Sequence, residues 1–198
     1  MAALVAQETL KSIWARQDEQ WPRDLYIVCE GDGTIKVHQI VVCNGSSHLA
    51  QKCDEMEDDY ITVPESIDIV HSICEYLYGH DFSHVFIGSG SSIAIETVDF
   101  LNGARKYGLP TLEQQITESI IRQIESMRDI DLCCFGIMLT DYEEEEVLPP
   151  AVFKAAVQCL ARKVKAIAED EECWSVLKKN LDFLRAVLST VGDKTSEG

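Results

Sequence analysis

The stretch Ile35-Lys36-Val37-His38-Gln39-Ile40-Val41-Val42-Cys43, continued by Asn44-Gly45-Ser46-Ser47-His48-Leu49, decides how this chain is to be folded. Its start closes a strand over Thr34 to Val37, and its remainder opens a helical stretch over residues 39–53. Asn44-Gly45 interrupts that stretch, which predicts two short helices rather than one. Just upstream, Leu25-Tyr26-Ile27-Val28 is rich in β-formers, and Glu30-Gly31-Asp32-Gly33 is turn-forming. Two such runs joined by a glycine-bearing turn predict a β-hairpin.

Further upstream, Leu10, Ile13, Trp14 and Trp21 lie roughly on one helical stripe, so residues 4–18 read as an amphipathic helix ended by Pro22. Downstream, Tyr60 to Val63 predicts a third strand. Ser66 is placed to cap a helix carrying Val70, Ile73, Cys74 and Leu77 on one face, with Gly79 closing it. A Gly/Ser-rich loop fills residues 80–92. Ile93 to Tyr107 is helical up to Gly108. Pro110 and Thr111 then open a helix with Leu112, Ile116, Ile120 and Ile124 at helical spacing, and Thr111 with Gln114 has the capping-box pattern.

The acidic run Glu143 to Glu146 and the pair Pro149-Pro150 mark a boundary. Two apolar-faced helices are expected beyond it. One carries Phe153, Val157, Leu160, Val164 and Ile167; the other carries Trp174, Leu177, Leu181, Leu184 and Leu188. The order of elements gives an α+β fold with a small sheet and an excess of helices. The expected division is 1–20 as an N-terminal helix, 21–128 as the principal domain, 129–192 as a helical extension, and 193–198 as a disordered tail.

Composition narrows the function. The 198 residues carry a formal net charge of −17, which disfavours nucleic acid and anionic lipid as partners. No apolar run reaches the length that spans a bilayer. Residues 1–20 are interrupted by Glu8, Lys11, Arg16, Asp18 and Glu19, so a secretory signal is not expected there. The 8 cysteines form no C-x-x-C pair and sit among apolar neighbours. They are expected to be reduced small hydrophobes, in the cytoplasm or nucleus.

Four separated segments together resemble the BTB/POZ family. Asp24-Leu25-Tyr26-Ile27-Val28 is similar to the family's opening strand. Val37-His38 running into the helix, with Ser46 and Leu49 on the family's serine and phenylalanine positions, resembles its most recognisable stretch. Glu75-Tyr76-Leu77-Tyr78, with Gly79 and Asp81 nearby, resembles a helix end. Leu101, Ala104, Lys106, Tyr107, Leu109, Pro110 and Leu112 resemble the segment that follows. The four occur in the family's order and cover residues 24–125. Ala50-Gln51-Lys52-Cys53 looks like fungal-type members, and the C-terminal helices resemble their extension more loosely. Two features depart from the pattern: the loop at 80–92 is long, and the usual Gly-Phe is missing between Cys53 and Tyr60.

The resemblance implies a non-enzymatic protein–protein interaction module that takes no cofactor. Its members form homodimers or hetero-oligomers with other BTB proteins, and some recruit the cullin scaffolds of ubiquitin ligases. It implies a protein-binding role for Leu10, Ile13 and Trp14 on the first helix and for Asp24 near the subunit interface. It also places Met56-Glu57-Asp58 where cullin-binding members carry a hydrophobic-x-Glu motif. It further implies that Leu25, Ile27, Val37, Val41, Val42, Leu49, Val70, Ile73, Leu77, Leu101, Ala104 and Leu112 share one core.

Other constellations carry less chemistry. Cys43, His48 and Cys53 give a C-x4-H-x4-C spacing but lack a fourth tetrahedral ligand, and His80 with His84 adds no cysteine pair, so no metal is expected. Gly88-Ser89-Gly90-Ser91-Ser92 before a helix is similar to a phosphate cradle. Ile93 stands in the third glycine position and no P-loop lysine follows. A nucleotide-binding enzyme using the Gly88–Ser92 loop is therefore the rival reading. No G-x-S-x-G elbow is present and no catalytic residue is assigned. Cys133-Cys134, beside Leu132 and Phe135, is expected to be buried rather than reactive.

Overall fold

The structure is a computed structural model that describes residues 2–15, 22–31, 33–82, 91–141 and 149–195. Three strands and ten helices follow one another among those residues: α1 (Ala2–Ala15), β1 (Leu25–Cys29), β2 (Thr34–Val37), α2 (Gln39–Gly45), α3 (Ser47–Asp54), β3 (Tyr60–Val63), α4 (Ile67–Leu77), α5 (Ser91–Lys106), α6 (Pro110–Ser126), α7 (Asp129–Asp141), α8 (Pro150–Glu169), α9 (Glu171–Leu177) and α10 (Leu181–Thr195). The fold is α+β with one small sheet. The chain divides into two compact units, Met1–His84 with Asp99–Gln115, and Val85–Val98 with Ile116–Gly198.

The first unit is built on the sheet, whose strand order is β2-β1-β3. The short turn after β1 sets β2 antiparallel to it, with Ile27 opposite Ile35 and Leu25 opposite Val37. The passage through α2 and α3 brings the chain back so that β3 runs parallel to β1, with Tyr26 opposite Tyr60 and Ile27 opposite Ile61. Strand side chains alternate between faces. Leu25, Ile27 and Cys29, Ile35 and Val37, and Ile61 and Val63 are therefore buried, while Tyr60 and Thr62 face out. Val42, Leu49, Val70, Ile73, Leu101, Ala104 and Leu112 are buried as well, as the sequence predicts.

Two expected core residues are only half-buried. Ile40, Val41 and Val42 are consecutive, and successive residues on a helix point about 100° apart, so one of three must turn outward. Val42 is buried, Val41 is half-buried and Ile40 is 70 % exposed. Leu77 stands at the end of α4 and lies against Gly45, where an added Cβ would meet its Cδ2 at 2.5 Å.

Gly79 and Gly108 end α4 and α5 as expected, with φ of +84° and +69°. Both form the paired six-to-one and five-to-two bonds of a left-handed helix stop: His80 N–H to Glu75 O with Gly79 N–H to Tyr76 O, and Leu109 N–H to Ala104 O with Gly108 N–H to Arg105 O. Ser66 holds the N-cap position of α4, yet its side chain makes no capping bond. Helix α6 begins at Pro110, and the Thr111 hydroxyl is bonded to Tyr76.

The second unit is helical. Ile116, Ile120 and Ile124 of α6 are buried in it, with Leu132 and Phe135 of α7 and Val152, Ala156 and Leu160 of α8. The last predicted helix is two helices. Lys178-Lys179-Asn180 separates α9 from α10, and the Asn180 side chain accepts from Phe183 N–H at 2.9 Å to start the new helix. The restart turns Phe183 and Val187 inward and leaves Leu181 at 61 % and Leu188 at 48 % exposed. Phe183 lies flush on Gly136 of α7, where no larger residue fits without movement. The expected 193–198 tail is helical to Thr195; residues 196–198 lie outside the described residues, as do Trp21 and Glu143 to Glu146.

The burial difference within α4 gives a stability test. Ile73→Ala should cost about 2–5 kcal/mol in urea unfolding, because it empties a closed site. Leu77→Ala should cost clearly less. Equal costs would contradict this packing.

Candidate functional site

The stretch from Val37 to Leu49 is hydrogen-bonded to three distant residues, Asp24, Tyr78 and Tyr107. The N–H of Gln39, at the start of α2, donates to Asp24 Oδ1 at 2.7 Å. The N–H of His38 donates to the buried Tyr78 hydroxyl at 2.8 Å, and that hydroxyl also lies 2.7 Å from His38 Nδ1. Ser46 Oγ donates to the Tyr107 carbonyl at 2.7 Å while accepting from Leu49 N–H at 3.2 Å, which starts α3. Each bond joins this segment to one of the other three that carry the family resemblance.

Tyr107 extends the network. Its hydroxyl donates to Glu65 Oε2 at 2.7 Å, and Lys106 Nζ pairs with Glu65 Oε1. Burial alone would raise the Glu65 pKa; the Lys106 and Tyr107 bonds outweigh it and hold the carboxyl below its ordinary value. Burial pushes the Tyr78 hydroxyl up to about 12, so it stays protonated and keeps one proton and two lone pairs for His38. Nothing in the sequence alone paired Glu65 with Tyr107, 42 residues on.

Leu10, Ile13 and Trp14 are half-buried on α1. The Trp14 ring stands 4.7 Å from that of Tyr78 and 5.4 Å from that of His71, with the Arg23 guanidinium 5.0 Å above it. Gln7 Nε2 donates to Gly79 O at 2.8 Å. The first helix therefore lies against α4 of its own chain. Asp24 is exposed while it binds Gln39. Beside it Ile40 stands clear; the run Ile40-Val41-Val42 signals that one of the three faces out but not which.

Met56 and Asp58 line an open groove of about 280 Å³ with Lys52, Glu55, Glu57, Tyr60, Ile61 and Thr62. Met56 is half-buried, Asp58 is exposed, and Tyr60 keeps 47 % of its surface. The structure thus brings Met56 and Asp58 together at one place, whereas Leu10, Ile13 and Trp14 lie on α1 and Asp24 bonds the start of α2. Tyr60 belongs to the groove but was legible only as a strand residue.

The remaining candidates take other places. His48 sets its ring edge-on to Tyr107 at 5.4 Å, and burial, then Lys52 and Lys106, lower its pKa. Among the described residues no group of three His, Cys, Asp or Glu side chains is placed to hold a metal ion. His84 and the stretch through Gly90 of the glycine-rich loop lie outside the described residues, and Ser91 and Ser92 open α5. All cysteines are free thiols; Cys133 is buried and Cys134 half-buried. Burial pushes Cys53, Cys74 and Cys133 up to about 12, which keeps them protonated and unreactive at neutral pH. No helix among the described residues is long and apolar enough to cross a membrane.

No family model and no curated protein matches the chain. Among solved structures it is similar to the BTB (Tramtrack and Bric a brac) domain of human gigaxonin, at 17 % identity over 57 % of this chain and 88 % of that domain, with a TM-score of 0.45.

Two measurements check the network. Tyr78→Phe strips the buried His38 N–H of its acceptor and should cost about 1–3 kcal/mol in chemical unfolding. Glu65 has a folded pKa below its unfolded value of ~4.3, so its contribution is complete above that value and is lost as pH falls through the lower one. Glu65→Gln should flatten the loss of thermal stability between roughly pH 5 and 3. A mutant that declines as steeply as the parent would show the carboxylate to be unimportant.

Proposed function

We propose that this chain is a non-enzymatic protein–protein interaction module of the BTB/POZ kind. The observation that carries the reading is the bonding of Asp24, His38 and Ser46. The four segments resembling the family are far apart in sequence, yet their polar residues bond one another. A chance set of local matches has no reason to interlock in this way. The fungal-type affiliation rests on Ala50 to Cys53. The domain limits follow the same reading: a helix over 1–20, the module over 21–128 and a helical extension over 129–192, which α10 continues to Thr195. The free thiols suit a reducing cytoplasm or nucleus.

The partner proposed first is a second copy of this chain or another BTB protein. Ile40 supports a contact at residues 4–28: it is 70 % exposed and follows the residue bonded to Asp24. Light scattering at tens of micromolar should give a dimer, and Ile40→Asp should shift it to monomer, since a charge buried without a partner opposes association. A parent protein that stays monomeric there would remove self-association.

A cullin scaffold is the second reading, favoured by the place of Met56 in the groove. A flexible thioether suits an apolar pocket on a partner. Asp58 stands in for the family's Glu with a side chain one methylene shorter. If Met56 anchors that contact, Met56→Ala should weaken cullin binding by more than about 1 kcal/mol. Unchanged affinity, or no cullin binding by the parent, leaves the oligomerisation role alone.

A further inference from the structure

Strand β3 is an edge of the sheet, and its pairing with β1 shows which of its main-chain groups are spent. In a parallel ladder one residue of a strand bonds the neighbours on either side of its opposite number. Tyr26 lies opposite Tyr60, and its N–H donates to Asp59 O at 2.9 Å. The ladder therefore uses Ile61 and Val63 toward β1. The N–H and C=O of Tyr60 and Thr62 point the other way, to an edge that no further strand covers among the described residues. The opposite edge is partly closed, because Arg23 Nη1 donates to Lys36 O at 3.1 Å. The groove of about 280 Å³ is lined by three consecutive residues of that edge strand, Tyr60, Ile61 and Thr62, with Lys52 of α3 and residues 55–58 that follow it.

Unpaired main-chain groups along a groove are what an added strand takes up. The groove wall selects the occupant by charge. Glu55, Glu57 and Asp58 stand on it against the single cation Lys52, on a chain of formal net charge −17. A second copy of this acidic chain would meet like charge there. We infer that the β3 edge binds an extended, cationic segment of a partner protein as a fourth strand, bonded to the main chain of Tyr60 and Thr62 with its Lys or Arg side chains on Glu55, Glu57 and Asp58. The inference rests on the interaction role proposed above and names the chemistry of one partner for it.

The probe is fluorescein-labelled acetyl-Lys-Val-Lys-Val-Lys-Val amide, followed by fluorescence anisotropy with the full chain. It should bind, and binding should weaken with added salt. The matched Glu-Val peptide should not bind. Thr62→Pro removes an N–H that points to solvent, a place where a strand edge tolerates proline, and should lower affinity by about tenfold or more. Glu57→Lys with Asp58→Lys leaves the strand untouched and should do the same if Thr62→Pro does not fold. Absence of probe binding would overturn the proposal, as would full affinity in a folded Thr62→Pro or in the charge-reversed protein, or equal binding of a Thr-Val peptide without charge. A parent dimer that Thr62→Pro dissociates would assign the edge to a second copy and overturn it too. Dimerisation that Ile40→Asp abolishes, together with a silent probe, would sink the strand addition while leaving the general interaction role intact.

Discussion

A polar group taken out of water must find a partner inside the protein, or the fold loses the cost of its desolvation. The first unit meets this demand chiefly through the corner where β2 becomes α2. There the N–H groups of His38 and Gln39 have no helical acceptor, as at the start of any helix. Tyr78 takes one and Asp24 the other. The Tyr78 ring is fully buried, so its hydroxyl sits where one geometry satisfies it. Changing the angle between sheet and helices would break that geometry, and this is why the corner sets the rest of the unit.

The same logic propagates outward. Ser46 lies between α2 and α3 and uses both capacities of its hydroxyl, accepting from Leu49 and donating to Tyr107. Tyr107 is held at its other end by Glu65, which Lys106 also engages. The start of α3, the end of α5 and the turn after β3 are thereby tied to one another. Trp14 then lays α1 over Tyr78, so the first helix reports on the same residue. Surfaces left over from this packing include the exposed Ile40 and Ile67 and the groove beside β3, and binding is proposed at Ile40 and at the groove.

Much of the first unit was legible in the chain. The hairpin, the break at Asn44-Gly45, the strand at Tyr60 to Val63 and the glycine stops all follow from local rules, and local rules act over a few residues. Failures occur where a choice depends on distant atoms. Leu177 and Leu181 both fit one helical stripe, yet Asn180 caps a new helix between them and Phe183 takes the inner face against Gly136. Of the candidate residues, Met56 and Asp58 fall together in a groove, whereas Trp14 spends part of its ring on its own chain.

The sequence by itself determined the α+β class, the order of elements, the apolar faces of the first unit and the four segments that carry the family resemblance. Period, turn chemistry and composition decide these, and each is a property of neighbouring residues. Only the tertiary structure decided which buried donor meets which acceptor, which edge of the sheet stays open, and which of Ile40, Val41 and Val42 faces water. Those outcomes depend on hydrogen-bond geometry and packing between residues as far apart as Ser46 and Tyr107, a separation across which no local pattern carries information.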